Sequence, residues 1–279
     1  MASSTLPPAL FLQPLSGWPM TQRAMVRGVM TDIDDTLTAD GRIEPAALEA
    51  LGALRAQGFA LIAITGRPAG WSAPFAAAWP LDALVAENGA VAFVRTPGAS
   101  HPEKIYQQDA DTRARNHIRM QAVAAQILQH VPEARLAADS AGRECDIAID
   151  HSEFHTLPTA AIEQVVAIMR AAGMHATVSS IHINGWYGEH DKWQGAHWIL
   201  RTLRGQELDE QLAQWVYIGD STNDERMFEH FIHSVGVANI ARFAPRMQHL
   251  PRYVSTQPRG QGFAELAAQL IEARAAQPR

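Results

Sequence analysis

The chain has 279 residues, more than one compact domain usually holds, and suits a larger domain carrying a smaller one. Hydrophobic residues make up 47% and charged residues 19%, which excludes disorder of the whole chain. The net charge is −6 and no basic run occurs, so the electrostatic footprint of a nucleic-acid binder is missing.

Cys145 is the single cysteine, which rules out an intrachain disulfide. It reads as a small packed side chain and is compatible with a cytoplasmic setting. Residues 1–20 are apolar, contain Pro7, Pro8, Pro14 and Pro19, and carry no Lys or Arg. They lack the charged start of a signal peptide, and the prolines break any helix able to span a membrane. Residues 1–24 are therefore expected to be a loose extension, with Met20 and Met25 as alternative starts nearer the first strand. No later segment has the uncharged run of a membrane helix.

Residues 26–31 form a short apolar run that ends in acids, as a buried strand does before a loop. Residues 45–57 carry Leu48, Leu51 and Leu54 at helical spacing, between Pro45 and Gly58. Residues 59–64 read as a second buried strand. Residues 68–79 read as a helix that Pro74 should kink or break, and 83–86 as a third strand. Strand alternating with helix predicts a parallel sheet covered on both faces, with its site at the carboxyl ends of the strands.

Beyond Thr96 the apolar runs shorten. Helices are expected over 112–129 and 157–172, and strands over 147–149, 176–178 and 181–183. This is the texture of a small α+β domain inserted into the first. The first texture returns with a helix over 191–203, strands over 215–218 and 234–238, and a helix over 222–231. Residues 253–255 are expected as an edge strand and 263–276 as a closing helix. The resulting boundaries are a core of 25–95 and 186–279, and an insert of 96–185.

Four polar clusters follow predicted strands or begin a helix. They are Asp32-Ile33-Asp34-Asp35-Thr36, Thr65-Gly66-Arg67, Asp191-Lys192 and Gly219-Asp220-Ser221-Thr222-Asn223-Asp224. Crowded carboxylates repel and call for a cation or a function. Together the clusters supply what phosphoryl transfer needs. One carboxylate can attack, a second can exchange protons, a hydroxyl and an ammonium can hold phosphoryl oxygens, and further carboxylates can hold Mg²⁺.

In their order, these clusters resemble the motifs of the haloacid dehalogenase superfamily, in its Cof-like (IIB) phosphatase branch with a large α/β cap. Asp32, Asp34 and Thr36 match the first motif and Thr65 the second. Lys192 matches the third, and Gly219, Asp220 and Asp224 the fourth. Glu87-Asn88-Gly89-Ala90 and Asn184 also resemble that branch. The resemblance spans roughly residues 26–275. It implies a doubly wound, Rossmann-like α/β core with an inserted α+β cap. It also implies a Mg²⁺-dependent phosphatase acting on a small phosphorylated metabolite, such as a sugar phosphate.

The resemblance further implies Asp32 as nucleophile and Asp34 as general acid and base. Asp32 and Asp220 would ligate the metal through their side chains, Asp34 through its backbone carbonyl, and Asp224 directly or through water. Thr65, Lys192 and Asn223 would bind the phosphoryl group. Two positions usually held by Gly in the family are Asp35 and Trp193 here. Asp35 could weaken phosphate binding, recruit the metal or stay a surface acid. Trp193 could occlude the cleft or pack under its helix.

Other residues stay open. Arg67 could reach phosphate or an acidic neighbour. Glu87 and Asn88 suit holding a loop better than chemistry. Arg143, in the cap, is a substrate-contact candidate beside Glu144 and Asp146. His182, Trp186, Tyr187 and His190 could line the cleft. His151 and His155 have zinc-pair spacing but no helix start, so no zinc is expected. A phosphomutase and a catalytically silent binder of phosphate ligands remain alternatives. The oligomeric state is not legible.

Overall fold

The computed structural model describes residues 12–96 and 98–276. In chain order its first half contains β1 (Gln13–Pro14), α1 (Met20–Arg23), β2 (Gly28–Thr31), β3 (Thr38–Ala39), β4 (Arg42–Ile43) and α2 (Pro45–Ala56). β5 (Ala60–Ile64), α3 (Ala69–Ala78), β6 (Ala83–Ala86), β7 (Val91–Val94) and β8 (Glu103–Tyr106) follow. The cap elements are α4 (Ala110–His130), β9 (Arg135–Leu136), β10 (Ile147–Asp150), α5 (Thr159–Ala171), β11 (His175–Val178) and β12 (His182–Trp186). The chain then returns through α6 (Lys192–Arg204), β13 (Trp215–Gly219), α7 (Glu225–His230), β14 (His233–Gly236), β15 (Tyr253–Val254) and α8 (Arg259–Ala275).

The core is one nine-stranded sheet in the order β1-β15-β14-β13-β2-β5-β6-β7-β8. Pairing is parallel from β1 to β6, and β7 and β8 extend the sheet antiparallel. Successive residues of a strand face opposite sides, so both faces are apolar. Val29 and Leu61 pack into one buried cluster with Leu51 and Leu54 of α2 and Phe263 and Leu266 of α8. Met30 and Ile62 pack into another with Ile199 and Leu200 of α6 and Phe228 of α7. This is the doubly wound α/β core expected.

The cap is a separate antiparallel sheet in the order β11-β12-β10-β9, with α4 and α5 sharing its apolar cluster. Val123, Ile127, Val165 and Met169 of the helices meet Ile147, Ile149, Ile183 and Trp186 of the strands. The boundary differs from the expected 96 and 185. β8 pairs with β7 in the core sheet, and β12 runs to Trp186 within the cap sheet. The hairpin β7–β8 carries its own edge past Thr96, which a change in apolar texture could not reveal.

Of the expected loose extension over 1–24, residues 1–11 lie outside the described residues, and residues 12–24 are packed. β1 pairs with β15, so 253–255 is not an edge. Leu15 and Trp18 are fully buried, and the Trp18 ring stacks on Tyr253 at 5.5 Å. The missing charge pattern that argues against a leader says nothing about burial, and the apolar side chains of Leu15 and Trp18 decide it. Helix α3 runs through Pro74 without ending.

Candidate active site

Strand ends bring the polar clusters together. β2 and β13 are adjacent and parallel, and the Asp32 N–H continues their ladder by donating to Ile218 O at 2.9 Å. Asp32 and Asp220 therefore emerge side by side. Thr65 follows the neighbouring β5, its N–H donating to Val85 O at 2.9 Å. Lys192 arrives from α6, which Asp191 caps by accepting the Gln194 N–H at 2.8 Å. Gly89 makes that approach possible. It has φ +109°, and a Cβ there would lie 2.4 Å from Asp191 O.

At the centre, Lys192 Nζ lies 2.5 Å from Asp32 Oδ1 and 2.7 Å from Asp224 Oδ1. All three residues are buried. Carboxylate oxygens of Asp32, Asp220 and Asp224 lie within 4.8 Å of one another. Burial pushes the Asp32 carboxyl up to about 8, against the pull of the Lys192 ammonium. Asp220 is pushed well above the carboxylate range by burial and by its acidic neighbours Asp32, Asp224 and Asp35. Despite this burial, Asp220 Oδ1 has no hydrogen-bond partner. A buried, unpaired carboxylate oxygen beside two more carboxylates fits a hard divalent cation.

Asp224 differs from Asp220. Its Oδ1 accepts from Lys192 and from the Tyr217 hydroxyl, and its Oδ2 accepts the N–H groups of Asp220 and Ser221 at 2.9 and 3.1 Å. Both oxygens are thus engaged in shaping the loop. Tyr217 was not singled out by the sequence; its alternate position in β13, two residues before Gly219, was the available signal.

Asp34 stands apart from the three acids, on the cap side. Arg67 Nε donates to its two oxygens at 2.8 and 3.0 Å. The same guanidinium reaches two cap acids, Asp139 at 3.2 Å and Glu153 at 2.7 Å. Glu153 also meets His182 Nε2 at 2.8 Å, and these partners hold its carboxyl down to about 2 against the cost of burial. Arg67 thus meets acidic neighbours, one of the two roles left open for it. Thr65 Oγ1 accepts the Arg67 N–H at 3.0 Å, which leaves its O–H to donate.

The cap closes over this centre. Arg143 Nη1 and Asn184 Nδ2 both donate to Gly66 O, at 3.0 and 3.3 Å. Arg143 is also paired with Asp146 and Asp139, so its charge is already matched. Glu87 accepts the Ala69 N–H of the core at 2.9 Å, and the N–H groups of Glu144 and Cys145 of the cap. The gap lined by Asp32, Asp34, Asn223, Ser180 and His182 has about 10 Å³ of free space.

Trp193 packs beneath α6 between His230 and Phe231, at 4.6 and 5.7 Å, rather than in the cleft. Asp35 pairs with Arg242 at 2.8 Å and Arg259 at 3.0 Å. His151 and His155 each bond a backbone carbonyl, of Ser179 and Glu133. Trp186 and Tyr187 are buried in the cap cluster.

Residues 29–130 match the model of the haloacid dehalogenase-like hydrolase family, and solved structures extend the likeness of fold to the cap. A Thermoplasma acidophilum protein is 17% identical, with TM-score 0.68 over 88% of this chain and 99% of its own. The sucrose-phosphatase of Synechocystis, solved with sucrose and phosphate, is 19% identical, with TM-score 0.62 over 88% and 97%. A subclass IIB sugar phosphatase is 16% identical, with TM-score 0.61 over 89% and 100%. None of the curated proteins matches significantly in sequence. No helix of the described residues is long and apolar enough to cross a membrane.

Proposed function

We propose that the protein is a phosphatase that hydrolyses a small phosphomonoester through an aspartyl-phosphate on Asp32. The observation that carries this reading is the buried triangle of Asp32, Lys192 and Asp224 beside the unpaired Asp220 oxygen.

An Asp32 oxygen attacks phosphorus, and the bond to the substrate's alcohol oxygen breaks. Asp34 gives its proton to that oxygen, so a neutral alcohol leaves. Asp34, now a carboxylate, takes a proton from water, and the resulting hydroxide displaces phosphate from Asp32. Arg67 fixes the Asp34 carboxyl in place for both transfers. Lys192 orients Asp32 and faces the phosphoryl oxygens, with the Thr65 hydroxyl and the Asn223 amide as neutral donors. Closure of the cap excludes water from the first step, and reopening releases the alcohol.

Asp32 and Asp220 side chains, the Asp34 carbonyl and Asp224, the last through water, would hold Mg²⁺. Bound there it would offset the charge that lets one anion approach another. The sugar phosphatases of like fold support a polyol or sugar phosphate as substrate class.

The test is phosphate release from p-nitrophenyl phosphate and a panel of sugar phosphates, with Mg²⁺ and with chelator. Metal-dependent release that disappears in Asp32→Asn is expected. Full activity in that variant would remove Asp32 as nucleophile. No release from folded, Mg²⁺-supplied protein would remove the reaction.

A further inference from the structure

We propose that Arg242 and Arg259 form a subsite for a second acidic group, a carboxylate or a second phosphate, on the alcohol part of the substrate. The inference rests on the phosphatase reading and narrows its substrate class.

The gap at the reaction centre shares Asp34, Arg67, Ser180 and Ile181 with a neighbouring cavity of about 210 Å³, which also carries Asp35, Arg242 and Arg259. Asp34 protonates the leaving oxygen in the proposed reaction, so the leaving alcohol extends into this cavity. Arg67, on its wall, is not free for substrate, because Asp34, Asp139 and Glu153 surround it. Arg242 and Arg259 share the carboxylate of Asp35, and Arg242 Nη2 also lies 3.8 Å from Asp220 Oδ2. Each guanidinium has five N–H donors, and Asp35 engages one nitrogen of each. Both side chains remain partly exposed, at 48% and 35%. The two guanidiniums leave forked N–H donors that Asp35 does not engage, and these suit a carboxylate or phosphate. Of the other acids on the wall, Asp34 and Glu153 share Arg67, with His182 also on Glu153, and Asp40 is exposed to solvent.

The backbone is strained to keep this arrangement. Asp35 has φ +56° and Arg259 φ +51°, a region that favours glycine. Strain of this kind persists where the surroundings hold it, and it clusters at binding sites. Asn239 supplies the hold. Its Nδ2 donates to Asp35 O and to Asp220 Oδ2, at 3.0 and 3.1 Å, and its Oδ1 accepts the Arg259 N–H at 3.0 Å. The subsite is thereby fixed relative to Asp220.

Two measurements test this. The first compares kcat/KM for phosphoglycolate and a sugar bisphosphate with that for glycerol 3-phosphate, each normalised to p-nitrophenyl phosphate. The diacids are expected to be preferred by about tenfold or more. The Arg242→Gln/Arg259→Gln double variant should lose that preference, and Arg242→Lys should keep part of it. Preference for phosphoglycolate alone assigns a carboxylate, and preference for the bisphosphate alone assigns a phosphate. Equal use of diacids and glycerol 3-phosphate by the wild type, or a proportional loss on all substrates in the double variant, overturns the subsite. The second measurement needs no turnover, so it stands even if the phosphatase reading fails. By calorimetry with Mg²⁺ present, phosphonoacetate should bind the wild type about tenfold tighter than methylphosphonate does, and the two should bind the double variant alike. Equal binding to the wild type overturns the subsite.

Discussion

The carboxylate of Glu87, in the core, accepts the backbone N–H of Glu144, in the cap, at 3.0 Å. The neighbouring Cys145 N–H and the Ala69 N–H of the core meet the same carboxylate. One fully buried side chain thus terminates three backbone donors from two domains. Glu87→Ala leaves those donors unsatisfied and should cost roughly 2–4 kcal/mol. The loss should be local. Hydrogen exchange at Glu144 and Cys145 is expected to accelerate far more than in the cap strands. Unchanged exchange at these two amides would show that the clamp does not hold the cap.

Asp220 is the acid with most to gain from a cation and most to lose without one. In chelator the burial-raised Asp220 carboxyl keeps its proton, so Asp220→Asn exchanges one neutral group for another and should leave Tm near that of the wild type. In the wild type, Mg²⁺ at a hundredfold excess over Kd should add about 2.7 kcal/mol. In Asp220→Asn that gain should vanish, together with activity. A variant clearly more stable than the wild type in chelator would mean that Asp220 is charged there despite its burial.

Tyr217 and Lys192 both reach Asp224, and their removal should have unequal effects. Tyr217→Phe removes one hydroxyl from an oxygen that Lys192 still holds, and about 1 kcal/mol of stability should be lost. Activity should stay within about tenfold. Lys192→Met leaves Asp32 and Asp224 without their cation, which should cost roughly 3–5 kcal/mol. Turnover should fall by about a hundredfold or more. Urea melts and initial rates on both variants check the contrast.

His190 sits where the cap rejoins the core, almost fully buried, with neither ring nitrogen hydrogen-bonded. Burial, aided by the nearby His175, lowers its pKa from 6.5 to about 4. The folded state thus binds this proton less readily than the unfolded state. The associated stability is present above pH 6.5 and is lost as pH falls through 4. The full loss is about 3 kcal/mol, at about 1.4 kcal/mol per pH unit. His190→Phe should flatten Tm between pH 7 and 4.5 relative to the wild type. Parallel curves would exclude His190 from acid unfolding.

The convergence of the candidate site residues was legible because each part is local. Asp32, Thr65 and Asp220 each follow an apolar run, and parallel strands bring such ends together whatever else the chain does. Their roles came from resemblance rather than from spacing. The contacts that close the cap were not legible. Arg67 meets Glu153, and Glu87 meets Cys145, only after two separately folded sheets are oriented. The packing of Trp18 on Tyr253 was missed for a related reason, because the partners lie at opposite ends of the chain. Asp35 was visible as a departure from glycine, yet its partners Arg242 and Arg259 carry no pattern that marks them.

The strand order has a consequence for biosynthesis. β2 is made early, but one of its two neighbours, β13, follows the whole cap in sequence. At about 5–20 residues per second, roughly 10–40 s separate their emergence from the ribosome. During that interval Val29 and Met30 can pair on the β5 side only, and the other edge is open to foreign strands. The cap elements are contiguous in sequence and carry their own sheet and apolar cluster. The nascent half-core is therefore the stage at which an open β2 edge is exposed.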